Sequence, residues 1–170
     1  FAWDEAAGKL AMDRAIAVMN AAEQHPCERL SGVVFPSQID TCTEELFRDA
    51  IALSGETGRP ITTHISQAII EFLEMVRRHG ITPIQWANQI GLLGPDTILD
   101  HAIFVDSHPA TNWHTRRDLD LLADTGTNVA HCPAPFARYG YALTDFGAYE
   151  RAGINLGIGT DVAPHNLLEE

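Results

Sequence analysis

Ile61-Thr-Thr-His-Ile-Ser66 is a short run rich in β-branched residues, and an amphipathic stretch, Gln67 to His79, follows it and stops at Gly80. The first reads as a buried strand. The second reads as a helix with Ile69, Leu73 and Val76 on one face, ended by glycine. Strand then helix, without a second strand close behind, is the signature of a βαβ crossover and so of a parallel sheet.

The same alternation extends in both directions. Upstream, residues 4–24 carry Met12, Ile16 and Met19 at helical spacing, and Pro26 ends that helix. Leu30 to Phe35 reads as a strand, and Thr41-Cys-Thr-Glu44 has capping-box spacing that opens a helix to about residue 54. Downstream, residues 83–90 form a short helix, 97–105 a strand, 113–124 a helix, 127–131 a strand, 132–143 a loop, 144–152 a helix and 154–159 a strand. Strand and helix alternate through five strands with no linker or low-complexity tract. An open doubly wound sheet and part of a (β/α)8 barrel both fit, and a complete barrel takes roughly 250 residues.

Composition narrows the function. The 170 residues are 45% hydrophobic and 20% charged, ordinary for a globular chain. Eleven basic and 23 acidic residues leave a net charge of -12, which argues against a nucleic-acid partner. No apolar run approaches the roughly 18–20 residues that cross a bilayer, so no membrane partner is expected. Three scattered cysteines, Cys27, Cys42 and Cys132, predict reduced thiols and a cytoplasmic location. The chain opens at Phe1 and stops at Glu170 just after a motif, so both ends are expected to continue.

In parallel α/β folds, functional groups collect at the carboxyl ends of strands. His64, His101, His131 and Asp161 each lie in or at the end of a different strand. One strand histidine is ordinarily a hydrogen-bonded core residue. Three of them with a terminal aspartate form a set of imidazole and carboxylate donors suited to a catalytic divalent metal. Such an ion makes hydroxide available near neutral pH, and a neighbouring carboxylate can take the proton. His108, His165 and Asn166 fall on loops at the expected mouth. His25, His79 and His114 read as solvated or capping, and Trp86, Trp113 and Phe136 as packing. Cys132 has no base beside it.

His64-Ile-Ser-Gln67, Ile-Leu-Asp-His101, Val-Ala-His131-Cys-Pro133 and Leu-Gly-Ile-Gly-Thr-Asp161 occur in that order, with Gly-Leu-Leu-Gly94 before the second. The ordered set resembles the second half of the catalytic barrel in the amidohydrolase superfamily, in its chlorohydrolase, triazine-hydrolase and cytosine- or guanine-deaminase branch. The resemblance implies a partial (β/α)8 TIM-type barrel, parallel strands 4 to 8 with crossover helices. Residues 1–170 would be its C-terminal portion, with no second domain.

It also implies one divalent metal ion, zinc first and iron as the alternative. His64 and Asp161 are the implied ligands, with His101 an additional candidate. Asp161 and His101 are the implied catalytic residues, and Gln67, His131, His165 and Asn166 the substrate-binding ones. The family's His-x-His pair is missing from this sequence and is expected upstream. The branch's deaminases carry glutamate where Gln67 stands, and a carboxamide cannot cycle a proton.

The leading expectation is a metal-dependent hydrolase of a non-peptide C–N bond, or a C–Cl bond, in a small heterocyclic substrate. The alternatives are an aminohydrolase of a purine, pyrimidine or triazine, and a truncated, catalytically incompetent barrel. A Rossmann-type binding domain is disfavoured because no G-x-G-x-x-G or P-loop string occurs. Exposed sheet edges predict homo-oligomerisation or association with the rest of the barrel.

Overall fold

A computed structural model describes residues 2–162. Its frame is a parallel sheet in the order β1 (Ile61–Ile65), β2 (Thr97–His101), β3 (Asn128–His131) and β4 (Leu156–Ile158). Ile61 lies opposite Thr97, Ile98 opposite Asn128, and Val129 opposite Leu156. Two helices precede the sheet, α1 (Glu5–Glu23) and α2 (Glu44–Thr57). The crossovers are α3 (Ile69–His79) with α4 (Pro83–Gln89), then α5 (Asp118–Thr125), then α6 (Pro133–Ala137) with α7 (Phe146–Arg151).

Local chemistry explains the boundaries. The Thr43 hydroxyl accepts from Leu46 N–H and caps α2, whereas Thr41 donates to the Gln38 carbonyl. Thr82 caps α4 the same way, with Pro83 in the first helical turn. Gly80 ends α3 at φ 72°, a left-handed position that glycine takes at least cost.

Burial alternates along the strands. Ile61, Thr63 and Ile65 are buried, as are Thr97 and Leu99, while Thr62, His64, Ile98 and Asp100 are half-buried. The buried set joins Phe47, Met75, Ile84 and Leu122 in a core between sheet and helices. His64 and Asp100, opposite each other in register, therefore stand on the other face.

Several expectations need correction. The expected strand at Leu30–Phe35 keeps only two parallel bridges to β1, Val34 to Ile61 and Gln38 to His64. Four residues separate the bridged positions on one side and three on the other, so the segment bulges. The cause is local: Pro36 has no N–H to donate, and Ser37 sits at φ 33°. The strand expected to reach Val105 stops at His101, because His101 and Ala102 both take positive φ. Helix α5 begins at Asp118 rather than Trp113. The Asp106 carboxylate draws the preceding loop around itself, accepting from the Thr115 hydroxyl and Arg117 N–H. The expected loop after Cys132 contains α6. Finally, α3 buries Phe72 and Met75 while Leu73 is exposed, because Glu71 turns inward and rotates the helix about its axis.

One buried contact ties the last crossover to the second strand. The Tyr149 hydroxyl in α7 donates to the Ala102 carbonyl at 2.6 Å. Tyr149→Phe leaves that carbonyl unsatisfied, and the expected loss is about 1–3 kcal/mol of unfolding free energy. Denaturant unfolding of the two proteins measures it.

Candidate active site

The carboxyl ends of β1, β2 and β4 meet at one place. His64, His101 and Asp161 each bring a potential ligand atom there, and these atoms all lie within 4.8 Å of one another. Backbone strain concentrates at the same place. Among the described residues, seven non-glycine positions have positive φ, and four of them follow or end site strands: Ser66 (54°), His101 (79°), Ala102 (45°) and Asp161 (59°). Each such conformation costs on the order of 1–3 kcal/mol and persists only where surrounding contacts over-determine it.

His64 is oriented by the bulged segment before the sheet. Its Nδ1 lies 2.8 Å from the Ser37 carbonyl. A carbonyl only accepts, so Nδ1 carries the proton and Nε2 keeps a lone pair for a ligand. The His64 ring stacks on His101, with centroids 5.3 Å apart and planes 14° apart. By strand parity His101 belongs to the helix side, and its left-handed backbone is where the chain departs from that parity.

His101 is 1% exposed, and neither ring nitrogen has a hydrogen-bond partner among the described residues. Buried polar nitrogens are normally satisfied. Burial, then the neighbouring His64 and His131, push its pKa down to about 4, so the ring is neutral at pH 7. Two imidazoles and a carboxylate, one imidazole with an unused buried nitrogen, fit a zinc or iron ion.

The remaining expected residues fall as follows. His131 ends β3, buried and near enough to His101 to disfavour its protonation. Gln67 is half-buried at the turn between β1 and α3. His165 and Asn166 lie outside the described residues. His108 is half-buried against Phe104, with Nδ1 accepting from Ala110 N–H and Nε2 3.2 Å from the Ala142 carbonyl.

Glu71, a charged residue in the first turn of α3, is only 1% exposed. Its two oxygens accept from the N–H groups of Ser66 and Gln67. Burial pushes its pKa up to about 8, and these backbone donors only partly offset that. Both of its oxygens are engaged by the turn rather than directed at the three converging side chains.

Three residues beside the site are not assigned to it from the sequence, in which Phe136 reads as packing. Asp100 accepts from the Thr62 hydroxyl at 3.1 Å, and its pKa is raised by burial first, with the Asp161 charge adding to it. Phe35 lies 5.1 Å from the His64 ring and Phe136 4.5 Å from the His101 ring. Only Asp100 left a signal, as a charge inside an apolar strand. Cavity size does not mark the site: a cavity of about 580 Å³ lies near the starts of α1 and α2, lined by Trp3, Met12, Cys42 and Asp49.

Comparison with known proteins gives this geometry a family. Over 163 residues the chain is 31% identical to a 5-methylthioadenosine/S-adenosylhomocysteine deaminase of Thermococcus kodakarensis, a match covering 94% of this chain and 36% of that one. An adenosine deaminase from Xanthomonas campestris with bound zinc superposes with a TM-score of 0.77 at 23% identity, covering 89% of this chain and 32% of that one. An atrazine chlorohydrolase from Arthrobacter aurescens complexed with zinc gives 0.76 at 21%, covering 90% and 32%. The chain thus spans about a third of the length of the relatives it matches. These likenesses and the parallel β/α order show the fold as part of a (β/α)8 barrel. The family model for the amidohydrolase family matches residues 8–170, and the chain belongs to that family.

Proposed function

We propose that this chain is the C-terminal portion of a metal-dependent amidohydrolase barrel that hydrolyses a C–N bond of a small heterocyclic substrate. Deamination of a nucleoside-type amine is the preferred reaction. The observation that carries the reading is the meeting of His64, His101 and Asp161 at three strand ends. The deaminase relative supports the choice of substrate.

His64 through Nε2, Asp161, and His101 as a third donor would hold the ion, joined by the His-x-His pair expected elsewhere in the whole protein. A divalent metal there supplies Lewis acidity that makes water nucleophilic near neutral pH. Asp161 accepts the proton released by the attacking water and passes it to the leaving amine. His101, neutral and held against His64, donates an N–H towards charge that develops on the substrate. Gln67 orients the ring by donating and accepting hydrogen bonds through its carboxamide. Phe136, tilted against His101, helps exclude water from the reacting face.

A second reading rests on Gln67 alone. Without a carboxylic acid at that position, leaving groups that need little protonation, such as halide, are favoured over ring amines. Hydrolysis of a C–Cl or activated C–N bond is then the main activity.

Two measurements on the whole protein test this. Asp161→Asn keeps an oxygen donor but cannot carry a proton, so kcat is expected to fall about 10²- to 10⁴-fold. His64→Ala is expected to lower the metal content per chain. Normal turnover by both variants rejects the site.

Gln67→Glu separates the two readings. If halide or activated C–N hydrolysis is native, the substitution raises deamination and lowers that activity. If nucleoside deamination is native, the unsubstituted protein already turns over at ordinary rates and the substitution adds nothing.

A further inference from the structure

Glu71 takes no part in the chemistry above, yet it is among the most deeply buried side chains. A carboxyl group so far from water needs partners. Here both oxygens serve one turn, accepting from Ser66 N–H and from Gln67 N–H at 3.1 Å. That turn follows β1 directly, and Ser66 adopts φ 54° within it.

The consequence reaches the neighbouring strand. With Ser66 in this conformation, its carbonyl accepts from Ile103 N–H at 3.0 Å and from Phe104 N–H at 2.8 Å. The Ile65 carbonyl accepts from Ala102 N–H at 3.0 Å. These three donors come immediately after His101, and they anchor the chain where His101 and Ala102 are left-handed. Hydrogen bonds therefore run from Glu71, through the turn after His64, to the segment that aims His101.

We propose that Glu71 is a positioning residue for the site: by holding the Ser66 turn, it sets the stacked arrangement of His64 and His101. The proposal rests on the reading above only in treating that ring pair as part of a metal site. The rival role is a helix cap alone. Ala68 at the start of α3 makes no side-chain capping bond, and Glu71 lies beside it.

The experiment uses the whole protein with Glu71→Leu, which keeps volume without acceptors, and Glu71→Gln, which keeps one acceptor. Zinc affinity is measured by chelator competition, kcat and KM by steady-state assay, and ring-to-ring contact of His64 and His101 by NMR of the metal-free protein. Glu71→Leu is expected to lose about 10- to 100-fold in zinc affinity, the loss typical when an outer support of a ligand is removed. It should also lower kcat with little change in KM and weaken the ring contact. Glu71→Gln should recover most of each.

If Glu71→Leu lowers only the unfolding midpoint, and the folded fraction keeps native zinc affinity and ring contact, Glu71 is a cap and the proposal is wrong. If Glu71→Leu does not fold, Glu71→Gln decides. A few-fold weaker zinc affinity with a perturbed ring contact supports the proposal, and no change in either overturns it. If the unsubstituted protein takes up no divalent ion, the proposed function fails separately, and the metal-free ring contact still decides the role of Glu71.

Discussion

Parallel strands cannot be joined by a two-residue turn, so each strand of this sheet must open into a crossover at its carboxyl end. Those ends are where the ladder stops and backbone groups need other partners. In this chain Ser66, His101, Ala102 and Asp161 all leave their strands through left-handed conformations. The helix-side core of Phe47, Met75, Leu99 and Leu122 holds the strands rigidly enough for such conformations to persist. Strain at the strand ends and packing beneath them are thus two halves of one arrangement.

The electrostatics follow from the same placement. His101 is carried into a dry environment beside two other imidazoles, and burial keeps it neutral. His64 is only half-buried, and the Ser37 carbonyl selects its tautomer. Asp100 and Asp161 put acidic groups near each other, and burial first, with the Asp161 charge adding to it, disfavours ionisation of Asp100. A cation held there would take one ring nitrogen of His101 and leave the other as an N–H donor.

Family membership and the position of Gln67 pull in different directions. The relatives include deaminases, and the fold is shared with a chlorohydrolase at comparable superposition. The proposed readings differ in how much protonation the leaving group needs, and Gln67, after β1, brings a carboxamide rather than a carboxylic acid.

Much of the frame was legible in the chain itself. Periodicity placed α1 to α4, α7 and strands 61–66 and 127–131 to within a few residues, because hydrophobic spacing is a local property. His64, His101 and Asp161 were legible because each sits in a short string at a strand end. Other features lay beyond local pattern. The bulge at Pro36–Ser37 depends on pairing with β1, more than twenty residues away. The early end of β2 depends on carbonyls of the β1 turn, and the inward turn of Glu71 on the N–H groups of Ser66 and Gln67. The closeness of Phe35 and Phe136 to the histidine rings is likewise a product of assembly. The sequence by itself determined which residues end up at the carboxyl ends of strands, since that follows from order and period. Only the tertiary structure decided which way they face, because non-glycine residues adopt positive φ, and carboxyls stay buried, only when contacts from distant segments offset the cost.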